Sequence, residues 1–324
     1  MKRRTLLQGA LAGAACMGLG MPARAAQFPD RPLQWIVPYP PGGATDSVAR
    51  AIAGPMSGRL GQPVVIVNRP GGATNIGTEA AIKAAPDGHT LLLAVPPLVV
   101  NPALYPELSY QPLRDMQAVA LIALNPNVLV VPAESPYRTP QQLFEAAQTR
   151  PDTITIASPG IGTVPHLVSL LIGQEMNLRV VPVPYKGSAA LMPDLVSGRV
   201  DAAMDNLYAQ VASVRAGRVR ALATLGEHRS PLLPDVPSMT ELGLSKLAGM
   251  GWIGVVAHSG VEPSRIATLE AAILDAARDA EVASRLEAMG LMVVAQGREP
   301  FQRRLVAEAE LWQGTVRRAG VTLA

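Results

Sequence analysis

Residues 33–50 read LQWIVPYPPGGATDSVAR and decide the fold class. The apolar run Leu33–Val37 predicts a buried strand, and Tyr39–Asp46 follows it as a loop rich in proline and glycine. Apolar side chains then recur at helical spacing from Val48 onward, which predicts a helix that begins near Ser47. A strand, a short loop and a helix in this order form the first half of a βαβ unit.

The same alternation continues along the chain, where short apolar runs are separated by longer stretches with helical spacing. This order is typical of βαβ units and predicts an α/β fold with largely parallel sheets. The other predicted strands are Val64–Val67, Thr90–Val95, Val119–Val131, Thr153–Ala157, Val180–Val183, Val200–Met204, Val219–Thr224 and Trp252–Val256. A shared apolar face from Phe301 to Val316 predicts a last helix, which ends at Gly320.

The length of the chain indicates two domains, because about 300 residues exceed what one hydrophobic core usually serves. Two apolar runs, Val119–Val131 and Met250–Val256, lack an adjacent crossover helix. We expect these runs to carry the chain between the two domains. Lobe one then contains residues 26–124 and 250–324, and lobe two contains residues 125–249.

The N-terminal segment has the pattern of an export signal. Basic residues at positions 2–4 precede an apolar stretch up to Met21, and residues 23–25 (Ala-Arg-Ala) form a small-x-small cleavage site. We interpret residues 1–25 as a signal peptide, which predicts export to the periplasm. The apolar stretch is too short to span a membrane, and the adjacent arginines also permit export by the twin-arginine route.

Charge and cysteine content narrow the choice of partners. Four of the 28 lysines and arginines lie in residues 1–25, so the mature chain is near neutral and has no basic field that would attract nucleic acid. The single cysteine, Cys16, lies in the same segment. A lipoprotein anchor at Cys16 would need a large aliphatic residue at the position of Gly13, so we expect the mature protein to be released.

Two glycine-rich loops precede predicted helices. In the first, residues 39–46, the Gly42-Gly43 pair allows backbone N–H groups to converge, and the helix N-terminus adds unpaired donors and partial positive charge. The second, residues 158–163, lies in the other lobe. One such loop in each lobe predicts a carboxylate held from both sides, and neither loop has a nucleotide-binding fingerprint. An ordinary turn capped by Thr45 or Asp46 remains the alternative for the first loop.

Asp205 follows the strand Val200–Met204, at the edge of the sheet where open α/β proteins bind ligands. It would accept hydrogen bonds from ligand amino or hydroxyl groups, and a structural cap is the alternative. A hydrolase would need Ser158, His166 and Asp205 as a triad, but no Gly-x-Ser-x-Gly elbow surrounds Ser158. None of the four histidines lies at metal-ligand spacing, so neither a metal nor another cofactor is expected.

Eight segments match a known family in order and spacing. They are PYPPGGATDSVAR (38–50), GQPVVIVNRPGGATNIGTEA (61–80), APDGHTLLLA (85–94), NPALY (101–105), SPGIGTVPHL (158–167), VPYKGSAALMPDLVSGRVDAAMDNL (183–207), GRVRALAT (217–224) and LPDVPSMTELGL (233–244). Together they resemble the Bug family, the solute-binding proteins of tripartite tricarboxylate transporters. The resemblance implies a two-lobed type II periplasmic binding protein fold that closes like a Venus flytrap on a small carboxylate. It also implies membrane permease subunits as partners and no catalysis, and we expect a monomer.

The resemblance also implies which residues bind the ligand. The first loop would contribute Gly42, Gly43, Ala44, Thr45 and Asp46, the second Ser158, Gly162 and Thr163, and Tyr39, Asn101 and Asp205 would line the cleft. The sequence departs from the family at Thr74, Leu98 and Tyr208, where glycine, histidine and proline are common. If Leu98 and Tyr208 face the cleft, an aromatic or branched carboxylate is favoured over citrate. A periplasmic sensor protein that docks on a receptor uses the same kind of cleft and stays the alternative.

Overall fold

The computed structural model describes residues 28–247 and 249–323. The predicted signal peptide, with Cys16, lies outside this part of the chain. The strands are β1 (Leu33–Val37), β2 (Val64–Asn68), β3 (Thr90–Ala94), β4 (Met116–Asn125), β5 (Asn127–Pro132), β6 (Thr155–Ser158), β7 (Val181–Pro184), β8 (Ala202–Asn206), β9 (Val219–Thr224), β10 (Gly251–His258) and β11 (Met292–Gly297). The helices are α1 (Ala44–Leu60), α2 (Asn75–Ile82), α3 (Pro97–Leu104), α4 (Pro112–Asp115), α5 (Pro140–Thr149), α6 (Val164–Glu175), α7 (Ser188–Val196), α8 (Leu207–Arg215), α9 (Pro263–Arg278), α10 (Ala280–Ala288) and α11 (Arg298–Ala319).

The strands form two sheets with helices around them, which confirms the predicted α/β class. The first sheet has the order β11-β4-β10-β3-β1-β2 and the second the order β7-β6-β8-β5-β9. We call the part built on the first sheet lobe one and the part built on the second sheet lobe two. Both sheets are mixed, so the prediction of largely parallel sheets is wrong. Strands β4, β5, β9, β10 and β11 pair antiparallel with their neighbours.

The chain passes between the sheets at two places. Strands β4 and β5 belong to different sheets and are separated only by Pro126, which splits the predicted single strand Val119–Val131. The return passage runs through Gly249 into β10. The two passages touch, because the side-chain amide of Asn127 donates a hydrogen bond to the carbonyl of Gly249 at 3.0 Å. The predicted lobe boundaries, next to residues 124 and 250, stay a prediction.

The last helix, α11, packs against helices of both lobes. The predicted face from Phe301 to Val316 is buried, and Gly320 ends the helix with a φ of 65°, which confirms the predicted end. The helix contacts α3 and β4 in lobe one and α6 in lobe two. Strand β11, which lies just before it, was missed from the sequence because its apolar run is short. Within the described residues, no helix has the length and apolar character needed to cross a membrane.

Candidate functional site

A cavity of about 370 Å³ opens between the lobes. Lobe one contributes the loops after β1 and β3, the start of β10 and the turn before β11, and lobe two contributes the loops after β6, β7 and β8. In both lobes the parallel strands therefore present their carboxyl ends to the cavity, as open α/β sheets do at ligand sites. Among the described residues that line it, none is Asp, Glu, Lys, Arg or His.

The loop after β1 presents the N-terminus of α1 to the cavity. The helix begins at Ala44, three residues before the predicted start, because Gly43 is extended and acts as the N-cap without a side-chain bond. Gly42 has a φ of 86°, a conformation that glycine adopts readily. Within the described residues, the N–H groups of Ala44 and Thr45 have no hydrogen-bond partner, and both residues line the cavity. This terminus therefore offers two free donors.

Asp46 organises this loop from inside lobe one. Its buried carboxylate accepts hydrogen bonds from the Gly42 N–H (2.9 Å), the Arg50 Nε (2.8 Å) and the Asn68 Nδ2 (2.9 Å). The hydrogen bond from the Arg50 side chain is the main reason why the pKa of Asp46 falls to about 2, against the opposing effect of burial. The carboxylate of Asp46, predicted to contact the ligand, is thus occupied by donors within lobe one.

The loop after β6 presents α6 from the opposite lobe. Gly162 has a φ of 77°, and the Thr163 hydroxyl caps the helix by accepting from the His166 N–H while it donates to the Gly160 carbonyl at 2.7 Å. Pro165 has no N–H, so the Val164 N–H is the remaining donor of this first turn among the described residues. Thr163, Val164 and Pro165 all line the cavity.

Two more helices, α7 and α8, begin at the cavity. Ser188 starts α7 and Tyr208 lies in the first turn of α8, and both line the cavity. Asp205 lies behind them, fully buried, and accepts from the Ser188 Oγ (2.7 Å), the Gln210 Nε2 (2.6 Å) and the Asn206 N–H (2.7 Å). Burial raises the pKa of Asp205, against these hydrogen bonds. Asp205 therefore holds the Ser188 side chain from behind and does not itself line the cavity.

Of the remaining predicted residues, one lines the cavity and two are buried. Tyr39 lines the cavity, and burial raises its pKa to about 12. Asn101 is buried inside lobe one, where its Nδ2 donates to the Ala73 carbonyl at 2.8 Å. Ser158 is also buried, beneath the loop after β6. Leu98, which we considered as a possible cleft residue, packs into the hydrophobic core instead.

Several cavity residues were missed from the sequence. Trp252 and Ile253 arrive from the second passage between the lobes, and Met289 and Leu291 come from the turn between α10 and β11. The signal in that turn was Gly290, which has a φ of 82° and lies so close to Tyr208 that an added Cβ would stand 2.8 Å from the tyrosine Cβ. The sequence alone does not reveal this close contact, because Tyr208 lies 82 positions away from Gly290.

The residues considered for a hydrolase do not form a triad. His166 Nδ1 accepts from the Gly162 N–H at 3.4 Å, and burial lowers the His166 pKa to about 4. The Ser158 hydroxyl has no hydrogen-bond partner in the described structure, and Asp205 bonds neither residue. The described residues also contain no group of three His, Cys, Asp or Glu side chains arranged to hold a metal ion.

Comparisons with known proteins agree with this geometry. Residues 48–320 match the model of the tripartite tricarboxylate transporter family receptor. The chain is 35% identical to the protein BugT of Bordetella pertussis over 311 residues, which cover 95% of each chain. It is 41% identical over 287 residues to a protein of Pseudomonas sp. (strain P51) described as a UPF0065 protein in the tcbD-tcbE intergenic region, covering 88% of this chain and 85% of the relative.

Solved structures show the same two-lobed architecture. The structure of R. palustris Rpa4515 with adipate is 30% identical in sequence and superposes with a TM-score of 0.76, covering 91% of this chain and all of that chain. The resemblance to the Bug family is therefore confirmed. From its family match and from its relatives, the chain belongs to the tripartite tricarboxylate transporter family receptors.

Proposed function

We propose that this protein captures a small carboxylate between its two lobes in the periplasm and delivers it to the permease subunits of a tripartite tricarboxylate transporter. One observation carries the proposal: the N-termini of α1 and α6 face one cavity from opposite lobes and offer free backbone donors there. Family membership supports the transport role, and the predicted signal peptide supports the location.

The cavity suits an anion although no cationic side chain lines it. An unpaired N–H group at a helix N-terminus points along the helix dipole, which places partial positive charge at the same position. Helices α1 and α6 begin at the cavity from opposite lobes, so each contributes positive potential there. Carboxylates bind well at such termini. The adipate bound to R. palustris Rpa4515 supports the same ligand chemistry for this chain.

The two passages between the lobes supply the hinge of the proposed closure. Each consists of few residues, around Pro126 and Gly249, and such short connections absorb the backbone changes of domain closure. A ligand that touches donors of both lobes would then stabilise the closed form. The boundaries next to residues 124 and 250 are part of this proposal.

We propose that the protein binds its ligand and does not transform it. A hydrolase would need Ser158 and His166 within hydrogen-bond reach of each other, and His166 instead accepts from the Gly162 N–H. Buried and neutral, His166 serves as an acceptor within the loop. A ligand recovered unchanged after incubation would support this part of the proposal.

A thermal-shift screen with mono-, di- and tricarboxylates, amino acids and aromatic acids tests the function. A ligand present at 100 times its dissociation constant adds about 2.7 kcal/mol of stability, which a melting curve resolves. We expect one or a few carboxylates to stabilise the protein and to be recovered unchanged. Stabilisation by no carboxylate, or consumption of the ligand, would contradict the proposal.

The variant Ala44→Pro tests the helix N-terminus directly. Ala44 is the first residue of α1 and follows an extended N-cap, so proline fits the backbone there and removes one free N–H donor. We expect carboxylate affinity to fall about 10- to 100-fold, because one hydrogen bond to a charged group is lost. The matched control is Ala280→Pro, at the first position of α10, because Ala280 does not line the cavity. Equal affinities of the two variants would contradict the role of α1.

A further inference from the structure

Tyr208 presents exposed aromatic surface to the cavity. It lies in the first turn of α8, lines the cavity and is 43% exposed. Among the described residues that line the cavity, no other large hydrophobic side chain is exposed to this degree. A ligand that covers this surface removes apolar area from water on both sides of the contact. Tyr208 is also a position where the sequence departs from the Bug family, so the resemblance assigns it no role.

Gly290 holds Tyr208 from the opposite lobe. It lies in the turn between α10 and β11 of lobe one and has a φ of 82°. A Cβ added at Gly290 would stand 2.8 Å from the Cβ of Tyr208 and 3.4 Å from its Cα. The backbone of lobe one therefore packs directly on the stem of this side chain of lobe two. Because the stem is covered, the exposed part of Tyr208 is mainly its ring.

The same turn brings apolar side chains of lobe one to the cavity. Met289 and Leu291, the two neighbours of Gly290, both line it. We call Tyr208, Met289 and Leu291 the apolar subsite. Tyr39 lines the cavity from lobe one as well, and its pKa is raised to about 12 mainly by burial and further by Tyr208. The phenol groups of the two lobes are therefore close enough to influence each other.

We infer that Tyr208 is a specificity-determining residue, whose ring packs against an apolar body of the bound carboxylate within the apolar subsite. The inference rests on the proposed function and names its substrate class. Backbone N–H groups at helix N-termini accept any carboxylate, so the choice among carboxylates comes from the residues around the rest of the ligand. An aromatic ring and a methionine side chain both pack well against flat apolar groups.

Titration calorimetry with phenylacetate, cyclohexylacetate and malate at neutral pH tests the inference. We expect the wild type to bind the two apolar acids more tightly than malate. Tyr208→Ala should weaken binding of both apolar acids about tenfold and that of malate less than about twofold. Tyr208→Phe keeps the ring and should recover most of the affinity that Tyr208→Ala loses. The control is Tyr137→Ala, because Tyr137 belongs to lobe two and does not line the cavity.

Gly290→Ala tests the apolar subsite from lobe one and keeps Tyr208 intact. The added methyl group pushes the turn away from Tyr208, so affinity for the two apolar acids should fall more than affinity for malate. The matched control is Gly243→Ala. Gly243 also has a positive φ, 75°, but no described atom lies within 4 Å of its added Cβ, and it does not line the cavity. We expect this control to leave the order of the three affinities unchanged.

Three results would overturn the inference. Tyr208→Ala could weaken binding of malate as much as binding of the apolar acids, or Tyr208→Phe could bind as weakly as Tyr208→Ala, and the ring would then not select the ligand. Tighter binding of malate than of both apolar acids by the wild type would refute the substrate class, while the proposed function stands. If no carboxylate binds at all, the proposed function fails and the substrate class fails with it.

Discussion

Replacing Asp46 by asparagine tests whether the first loop is organised as the structure shows. The substitution is nearly isosteric, but it exchanges one acceptor oxygen for an amide donor and removes the charge. The Gly42 N–H, the Arg50 Nε and the Asn68 Nδ2 then compete for a single remaining oxygen. We expect both the stability of the protein and its affinity for the carboxylate to fall.

The magnitude follows from the pKa of Asp46, which the structure lowers from 3.8 to about 2. The Asp46 side chain is only 3% exposed but that of Arg50 is half exposed, so solvent screens the pair in part. A carboxyl group whose pKa is lower in the folded state than in the unfolded state stabilises the protein at any pH above its unfolded pKa. This stabilisation is lost as the pH falls through the folded pKa. The contribution is about 2 kcal/mol at neutral pH and about 1 kcal/mol near pH 3.

Urea denaturation of the wild type and of Asp46→Asn, at neutral pH and near pH 3, measures both values. We expect the difference between the two proteins to shrink by about half on acidification. The control is Asp275→Asn, which breaks the surface ion pair with Arg59 at the other end of α1 and should cost less than about 1 kcal/mol. A stability difference that is negligible at neutral pH, or that stays the same near pH 3, would refute the assigned role of Asp46.

Three further substitutions test other parts of the structure. Glu308→Leu should cost about 2 kcal/mol or more and change the tryptophan fluorescence, because two indole N–H groups that now donate to this carboxylate would lose their acceptor. Gly162→Ala should lower the melting temperature more than Gly198→Ala. Both glycines have positive φ, but only at position 162 would the added Cβ lie 2.7 Å from the Leu104 side chain. His166→Gln should lose about 2 kcal/mol less stability than the wild type between neutral pH and about pH 5. Burial lowers the pKa of His166 to about 4, so in this pH range only the unfolded state takes up a proton on His166, and this uptake destabilises the folded wild type.

The α/β class and most of the strands could be predicted because they depend on local patterns. Apolar runs mark buried strands, and the glycine-rich loops at residues 42 and 162 mark points where the chain must turn with positive φ. The direction of the strands could not be predicted in the same way. It depends on where the chain passes from one sheet to the other, and the single proline at position 126 that marks the first passage is a weak signal.

The candidate site was predictable as two loops but not as a set of side-chain contacts. Asp46 and Asn101 were predicted to bind the ligand, yet their side chains bond within lobe one, to Asn68 and to the Ala73 carbonyl. Trp252 reaches the cavity only because the chain returns to lobe one just before it. Such partners are set by tertiary packing, which the spacing of one sequence does not contain.

A crystal structure of the protein with the tightest carboxylate from the screen would test the proposed binding site. We expect a closed cleft in which a ligand carboxylate accepts hydrogen bonds from the N–H groups of Ala44 and Thr45, with lobe two covering its other side. A carboxylate held by charged side chains, or bound outside the space between the lobes, would contradict it.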